Sequence, residues 1–307
     1  MLRLGMAFGL LCLMSSACAA AGAEGSGTTP ANPDQTCEAL AAETEVAAIV
    51  SAGEPVGGLA LAIAACLGHA DPDIRHGFAY GSLARLMRAG LVTEATRRDL
   101  LQALSGDLSP ETADPEGFLK PFAALVLSEV ARTDRVDPWM NGEERTGLVE
   151  TGASYVESVS DYRGFDDEDG WRHGVAHGAD LLMQLSLNPA IGEAEARRIL
   201  DAIGGQIASD EAPAFIFDEP RRLSRPILFL TQRGLLSEGE LTSWFESLAQ
   251  PAPLSDWEEA FGSKSALARR HNLRAFAYAV LVAATENEDE NLKRLRPGAL
   301  HILSTIP

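Results

Sequence analysis

Apolar residues recur three and four positions apart through most of the chain, in runs separated by short segments carrying Gly, Pro, Asp, Asn or Ser. That period predicts helices with one buried face. Asp34 can cap a helix to about Val50, and Gly53-Glu54-Pro55 breaks it, with Pro55 at the first position of a second helix. Asp71-Pro72 opens a helix carrying Ile74, Phe78, Leu83, Leu86 and Met87 and stopping at Gly90. A shorter helix over 94–104 ends at Gly106. Asp114-Pro115 opens the next, with Phe118, Phe122, Leu125, Val126 and Val130 inward. Asn141-x-x-Glu144 is a capping-box start for a helix through Tyr155. A helix from near Trp171 stops at Asn188-Pro189, and others cover about 193–208, 219–233, 238–249 and 264–285. Ser237-x-x-Glu240 and Ser255-x-x-Glu258 are further capping boxes. No stretch alternates apolar and polar residues long enough to make a strand. The expected class is all-α: antiparallel helix pairs stacked as an irregular HEAT-like α-α array, with an irregular bundle as the alternative because no fixed-period repeat is visible. No composition shift divides residues 35–307, which are read as a single helical domain.

The first 23 residues read as a signal peptide: Arg3, an apolar run from Leu4 to Met14, then small residues. Eleven apolar residues are too few to span a bilayer. Ala17-Cys18-Ala19 and Ala19-Ala20-Ala21 offer ordinary cleavage, while Ser15-Ser16-Ala17-Cys18 resembles a lipobox with Ser15 in place of the usual Leu, which would lipidate Cys18. Residues 24–34 read as a flexible tether. The expected location is therefore outside the cytoplasm, in the periplasm or lipid-anchored to the cell envelope. Export changes the reading of the cysteines. Cys37 and Cys66 remain in the folded body, and folding 34–66 as a hairpin brings them level. A disulfide there, rather than two free thiols, would close a loop of about 30 residues and contribute roughly 3–4 kcal/mol.

Charge narrows the partners. Lys and Arg number 25 against 44 Asp and Glu, a net −19, which repels phosphate backbones. No nucleic-acid partner is expected, and membrane contact only through the possible lipid anchor. There is no Gly-x-Ser-x-Gly elbow and no phosphate-cradling Gly-x-x-x-x-Gly-Lys.

Candidate chemistry concentrates in Asp161–Leu182, DYRGFDDEDGWRHGVAHGADLL. His173, His177 and Asp180 share one helical face, beside Trp171. They are candidate ligands of a divalent metal, zinc in the first instance. Gly174 stands where the HExxH motif places its Glu, so peptidase chemistry is not indicated. The run Phe165-Asp166-Asp167-Glu168-Asp169-Gly170 lacks the twelve-residue frame of an EF-hand. Against a site stands a packing reading: Asp161 pairs with Arg163 or caps helix ends, His177 donates to a neighbouring carbonyl, and Gly174, Ala176, Gly178 and Ala179 admit another helix. Glu219 and Arg222, one turn apart, would form a helix-surface or inter-helix ion pair. His271-Asn272 is a further candidate for the same groove.

Asp71-Pro72-Asp73-Ile74-Arg75, the run Phe122–Leu127, Asp161–Phe165, Gly170–Leu182 and Asp218-Glu219-x-x-Arg222-Leu223 occur in this order. Together they resemble the bacterial family known as domain of unknown function 2785, the segment from Arg163 to Leu182 being the most specific part. The resemblance implies an all-helical fold over most of the mature chain and no particular activity. His76 departs from it, since the family pattern more often has Asp after the Arg. The expected function is a binding or scaffold module of the cell envelope, with an unknown protein or small molecule as partner and no cofactor. The alternative is a metal-dependent hydrolase-like enzyme holding its ion on His173, His177 and Asp180, with Asp161 or Glu219 as base.

Overall fold

Side-chain caps set several of the helix boundaries in the computed structural model, which describes residues 33–307. The signal segment and Cys18 lie outside the described residues. Pro33–Pro307 forms one compact unit of fourteen α-helices with one two-residue hairpin. The class is all-α.

At the amino-terminal end α1 (Pro33–Glu43) and α2 (Val46–Ala52) replace the single helix expected to Val50, and Gly53 closes α2 at φ 70°. α3 (Gly58–Ala64) starts three residues after Pro55, because the Val56 backbone donates to Leu91 and bridges to Val92 instead. Cys37 and Cys66 form a disulfide, with Cα atoms 5.6 Å apart. Asp71 caps the next segment, its carboxylate accepting from Asp73 N. That segment is an eight-residue π-helix, Asp73–Tyr80, running straight into α4 (Gly81–Arg88).

α5 (Glu94–Asp107) is capped by Thr93. Asp114 does cap the helix after it, but α6 (Leu119–Val136) begins five residues later than Asp114. The carboxylate reaches forward to accept from Gly117, Phe118, Leu119 and Lys120 N. α7 (Gly142–Ser158) has the expected capping box. The hairpin β1 (Phe165–Asp166) and β2 (Gly170–Trp171) takes Trp171 out of the helix, so α8 (Gly174–Ser186) starts three residues later. α9 (Glu193–Ile207), α10 (Glu219–Gln232) and α11 (Glu238–Leu248) fall where the pattern puts them. Asp256, not Ser255, caps a short 3-10 turn, Trp257–Gly262. α12 (Lys264–Glu286), α13 (Glu290–Lys293) and α14 (Arg296–Thr305) complete the chain.

Alternate helices are the main packing partners: α6 on α8, α8 on α10, α10 on α12, and α7 on α9. They run parallel. His177 meets the Pro121 carbonyl at one end of α6 and α8, and Asn188 meets Asp134 near the other. Asp180 pairs with Arg222, and Arg233 donates to Ser186 O one end further on. Parallel alternates are what stacked α-α pairs generate, since each helix reverses the direction of the one before. Lengths from four to 23 residues leave no regular HEAT unit to mark off.

α6 and α8 form the centre. Twelve of the thirteen residues of α8 are buried. Its small side faces α7: a Cβ on Gly178 would lie 2.7 Å from Val156 Cγ2, and one on Gly174 would lie 3.1 Å from the Tyr155 hydroxyl. A buried Asp134 ties α6, α7 and α8 together, accepting from Trp139 N, Met140 N, Arg145 and Asn188 at 2.7–3.1 Å.

Candidate ligand cleft

The approach to α8 is fixed by two arginines. Arg75 is fully buried and donates to the carbonyls of His69 at 2.6 Å, Ala70 at 2.8 Å and Asp169. Arg172 donates to the Glu116 carbonyl and the Asp169 carboxylate, at 2.8 and 2.9 Å. Both guanidinium carbons lie over the Phe118 ring, 3.7 and 4.2 Å from its centroid, an attractive cation–π arrangement. The π-helix and the acidic hairpin tip, 94 residues apart in sequence, are thereby joined. Asp166 satisfies the tip itself, accepting from Glu168 and Asp169 N. Asp161 and Arg163 pair with each other at 2.8 Å, and Arg163 adds the Glu116 carbonyl. Gly164 has no room for a side chain, since a Cβ there would lie 2.0 Å from Phe217 Cδ2.

These supports leave a cleft of about 360 Å³ on the side of α8 away from α7. Its walls are His76 and Tyr80 from the π-helix, Phe122 and Leu125 from α6, and Trp171, His173, His177 and Asp180 from the hairpin and α8. Phe217, Asp218 and Arg222 close the side towards α10. His173 and Asp218 are the two non-glycine residues with positive φ among the described residues, at 60° and 72°, and both are helix N-caps on this cleft. Left-handed backbone costs about 1 kcal/mol or more outside glycine and persists where the surroundings enforce it.

His173 stacks on Trp171, with ring centroids 4.7 Å apart at 22°, and its Nε2 lies 2.8 Å from the Phe217 carbonyl. His177 packs edge-on to Phe122 at 5.3 Å, and its Nδ1 lies 3.2 Å from the Pro121 carbonyl. A carbonyl only accepts, so the proton sits on His173 Nε2 and on His177 Nδ1. The lone pair of each neutral ring is then on the other nitrogen. Burial pushes the His173 pKa down to about 4, partly opposed by the bond to Phe217. His177 falls to about 3 through burial, then the neighbouring His173 and Arg222. Both rings are neutral at pH 7. Asp180 is held by Arg222, with Arg225 at 3.4 Å; burial pushes its carboxyl up against that attraction. Burial also raises the Tyr80 phenol.

Trp171, His173, His177, Asp180 and Arg222 therefore share one cleft, while Asp161, Arg163 and Glu219 do not line it. Asp161 and Arg163 do as the packing reading expected. The expected Glu219–Arg222 pair is not made. Glu219 folds back to accept from Phe217 N at 2.8 Å at the start of α10, and Arg222 turns to Asp180 on α8. His271 and Asn272 hold the strap before α10, bonding the backbone of Phe215 and Pro213, and do not line the cleft. Sequence reasoning missed His76, Tyr80, Phe122, Leu125, Phe217 and Asp218 as cleft residues. Asp218 carried a signal, standing directly before Glu219-Pro220 at a helix start. Tyr80 carried none, because a π turn sets its direction. Among the described residues no three His, Cys, Asp or Glu side chains are placed to hold a metal ion.

Residues 100–282, more than half of the chain, match the family described as protein of unknown function DUF2785. No curated protein and no solved structure matches the chain.

Proposed function

The chain belongs to the DUF2785 family, and we propose that it is an exported binding module of the cell envelope that holds a small ligand in the cleft between the π-helix, α6, α8 and α10. The observation that carries this reading is the pair of left-handed N-caps. His173 and Asp218 both take costly backbone conformations on the rim of one cleft, and such strain concentrates where geometry serves a ligand. The lining supports it. Phe122, Trp171 and Phe217 supply apolar wall, while two neutral imidazoles, Tyr80 and the Asp180–Arg222 pair supply a few fixed polar groups, the usual make-up of a small-molecule site. The disulfide suits an oxidising compartment, and no helix among the described residues is long and apolar enough to cross a membrane.

An NMR fragment screen tests the reading. Bound fragments are expected to shift the Trp171 indole N–H and the His173 and His177 ring signals. Trp171→Ala is expected to lose those hits while keeping the far-UV spectrum of the parent. Hits that leave all three residues unmoved, or no hits at millimolar fragment, would overturn it.

A further inference from the structure

We infer that the cleft binds a divalent transition-metal ion, with His173 Nδ1 and His177 Nε2 as its two protein donors. The inference rests on the cleft being the ligand site and names the class of ion it takes. Four observations carry it.

Each ring has one nitrogen tied to a backbone carbonyl, Phe217 for His173 and Pro121 for His177. Metal-binding histidines are held in this way: the outer hydrogen bond fixes the tautomer and leaves the other nitrogen to the metal. The two rings face one solvent-connected cleft. Their centroids are 5.7 Å apart. Two imidazoles sharing one ion at nitrogen–metal distances of about 2.0–2.1 Å place their centroids roughly 5–6 Å apart, a spacing these two rings already have. The left-handed backbone at His173 gives the fourth observation. One residue before the helix proper, it sets the ring beside His177 and flat on Trp171, whose indole limits where the imidazole can turn.

Asp180 is not the third donor in this arrangement, because Arg222 and Arg225 occupy its carboxylate. The ion therefore has two protein ligands and open positions facing the cleft, for water or for a donor atom of an organic ligand. Imidazole donors without free carboxylate favour Cu²⁺, Ni²⁺ and Zn²⁺ over Mg²⁺ and Ca²⁺.

The test uses full-length protein without a histidine tag, stripped with a chelator and titrated calorimetrically with Cu²⁺ and Zn²⁺. One ion per chain is expected, with Cu²⁺ tighter than Zn²⁺ and no heat from millimolar Mg²⁺ or Ca²⁺. Pulsed electron paramagnetic resonance of the Cu²⁺ complex is expected to show two coordinated imidazoles. His173→Asn, which tolerates left-handed backbone, and His177→Gln should each weaken binding at least about tenfold. The exposed control His301→Gln should not. Circular dichroism melts of each variant separate lost ligation from lost fold, and the two-imidazole spectrum of the parent stands even if a variant does not fold. Parent-like Cu²⁺ affinity in both folded variants, or a spectrum with one imidazole, overturns the inference. If metal is absent but organic fragments still shift Trp171, only the metal inference fails. If fragments also miss the cleft, the binding reading fails with it.

Discussion

Replacing Arg75 by Met removes a guanidinium that serves three carbonyls, His69, Ala70 and Asp169, and that lies 3.7 Å over Phe118. A hydrogen bond to a charged donor contributes about 1.5–3 kcal/mol. The three share one group and do not add, so their joint loss is on the order of 5 kcal/mol. Opposing this is the cost of keeping the charge buried. Arg75 has its pKa pushed down to about 10, first by burial and then by Arg172, with Asp169 and Asp71 pulling the other way. Removing the charge recovers part of that cost, and methionine refills much of the volume. The net expectation is a loss of about 3 kcal/mol, which for a domain of this size lowers the melting temperature by roughly 5 °C. Arg75→Lys keeps the charge but not the planar fork, and should fall between parent and Met. Thermal unfolding followed by far-UV circular dichroism measures both, and Trp171 emission should change with them because the hairpin loses its tie. A Met variant melting within about 2 °C of the parent would refute the reasoning and show that water satisfies those carbonyls equally well.

Other expectations are as direct. Gly164→Ala puts a methyl 2.0 Å from Phe217 Cδ2, so Phe217 must shift; a destabilisation of about 1–3 kcal/mol by denaturant titration is expected, with weakened fragment binding in the cleft. Replacing Cys37 and Cys66 together by Ala opens a closure spanning 29 residues, and should cost about 3–4 kcal/mol under the same titration. Asp134 stays ionised to lower pH than its ordinary 3.8, because bonds from Arg145, Met140, Trp139 and Asn188 outweigh the opposing effect of burial. Its folded pKa lies below its unfolded one, so its contribution is complete above about pH 4 and is lost as pH falls through the folded value. Asp134→Asn should therefore be less stable at pH 7 and show a shallower loss of stability below pH 4 in acid unfolding curves.

Local signals were legible in sequence, and contacts across the fold were not. Asn141, Ser237 and Gly90 mark boundaries because capping is a matter of neighbouring residues. The spacing of His177 and Asp180 placed them on one helical face, and that face does line the cleft; His173, expected on the same face, lies before the helix and reaches the cleft through its left-handed backbone. The intervening glycines meet α7, so the packing reading and the site reading describe opposite sides of one helix. Asp114 capped as expected, but its reach across a turn moved the helix start to Leu119. Arg222 favours Asp180 over Glu219 because α10 packs on α8, a fact without trace in the four-residue window that suggested the pair. Tyr80, Phe217 and the strap held by Asn272 reach the cleft through packing alone.

The contact between Arg75 and Asp169 also bears on where this chain's folding unit begins. The matched span starts at residue 100, yet the guanidinium that pins its acidic hairpin comes from residue 75. A chain cut at the match boundary would keep every signature residue from Arg163 to Leu182 and lose the group that orders their approach. It should expose Phe118 and release Trp171, and proteases should cleave it between Asp166 and Gly170. The smallest autonomous fragment is therefore expected to begin upstream of residue 100, far enough to include Arg75 and the π-helix that carries it.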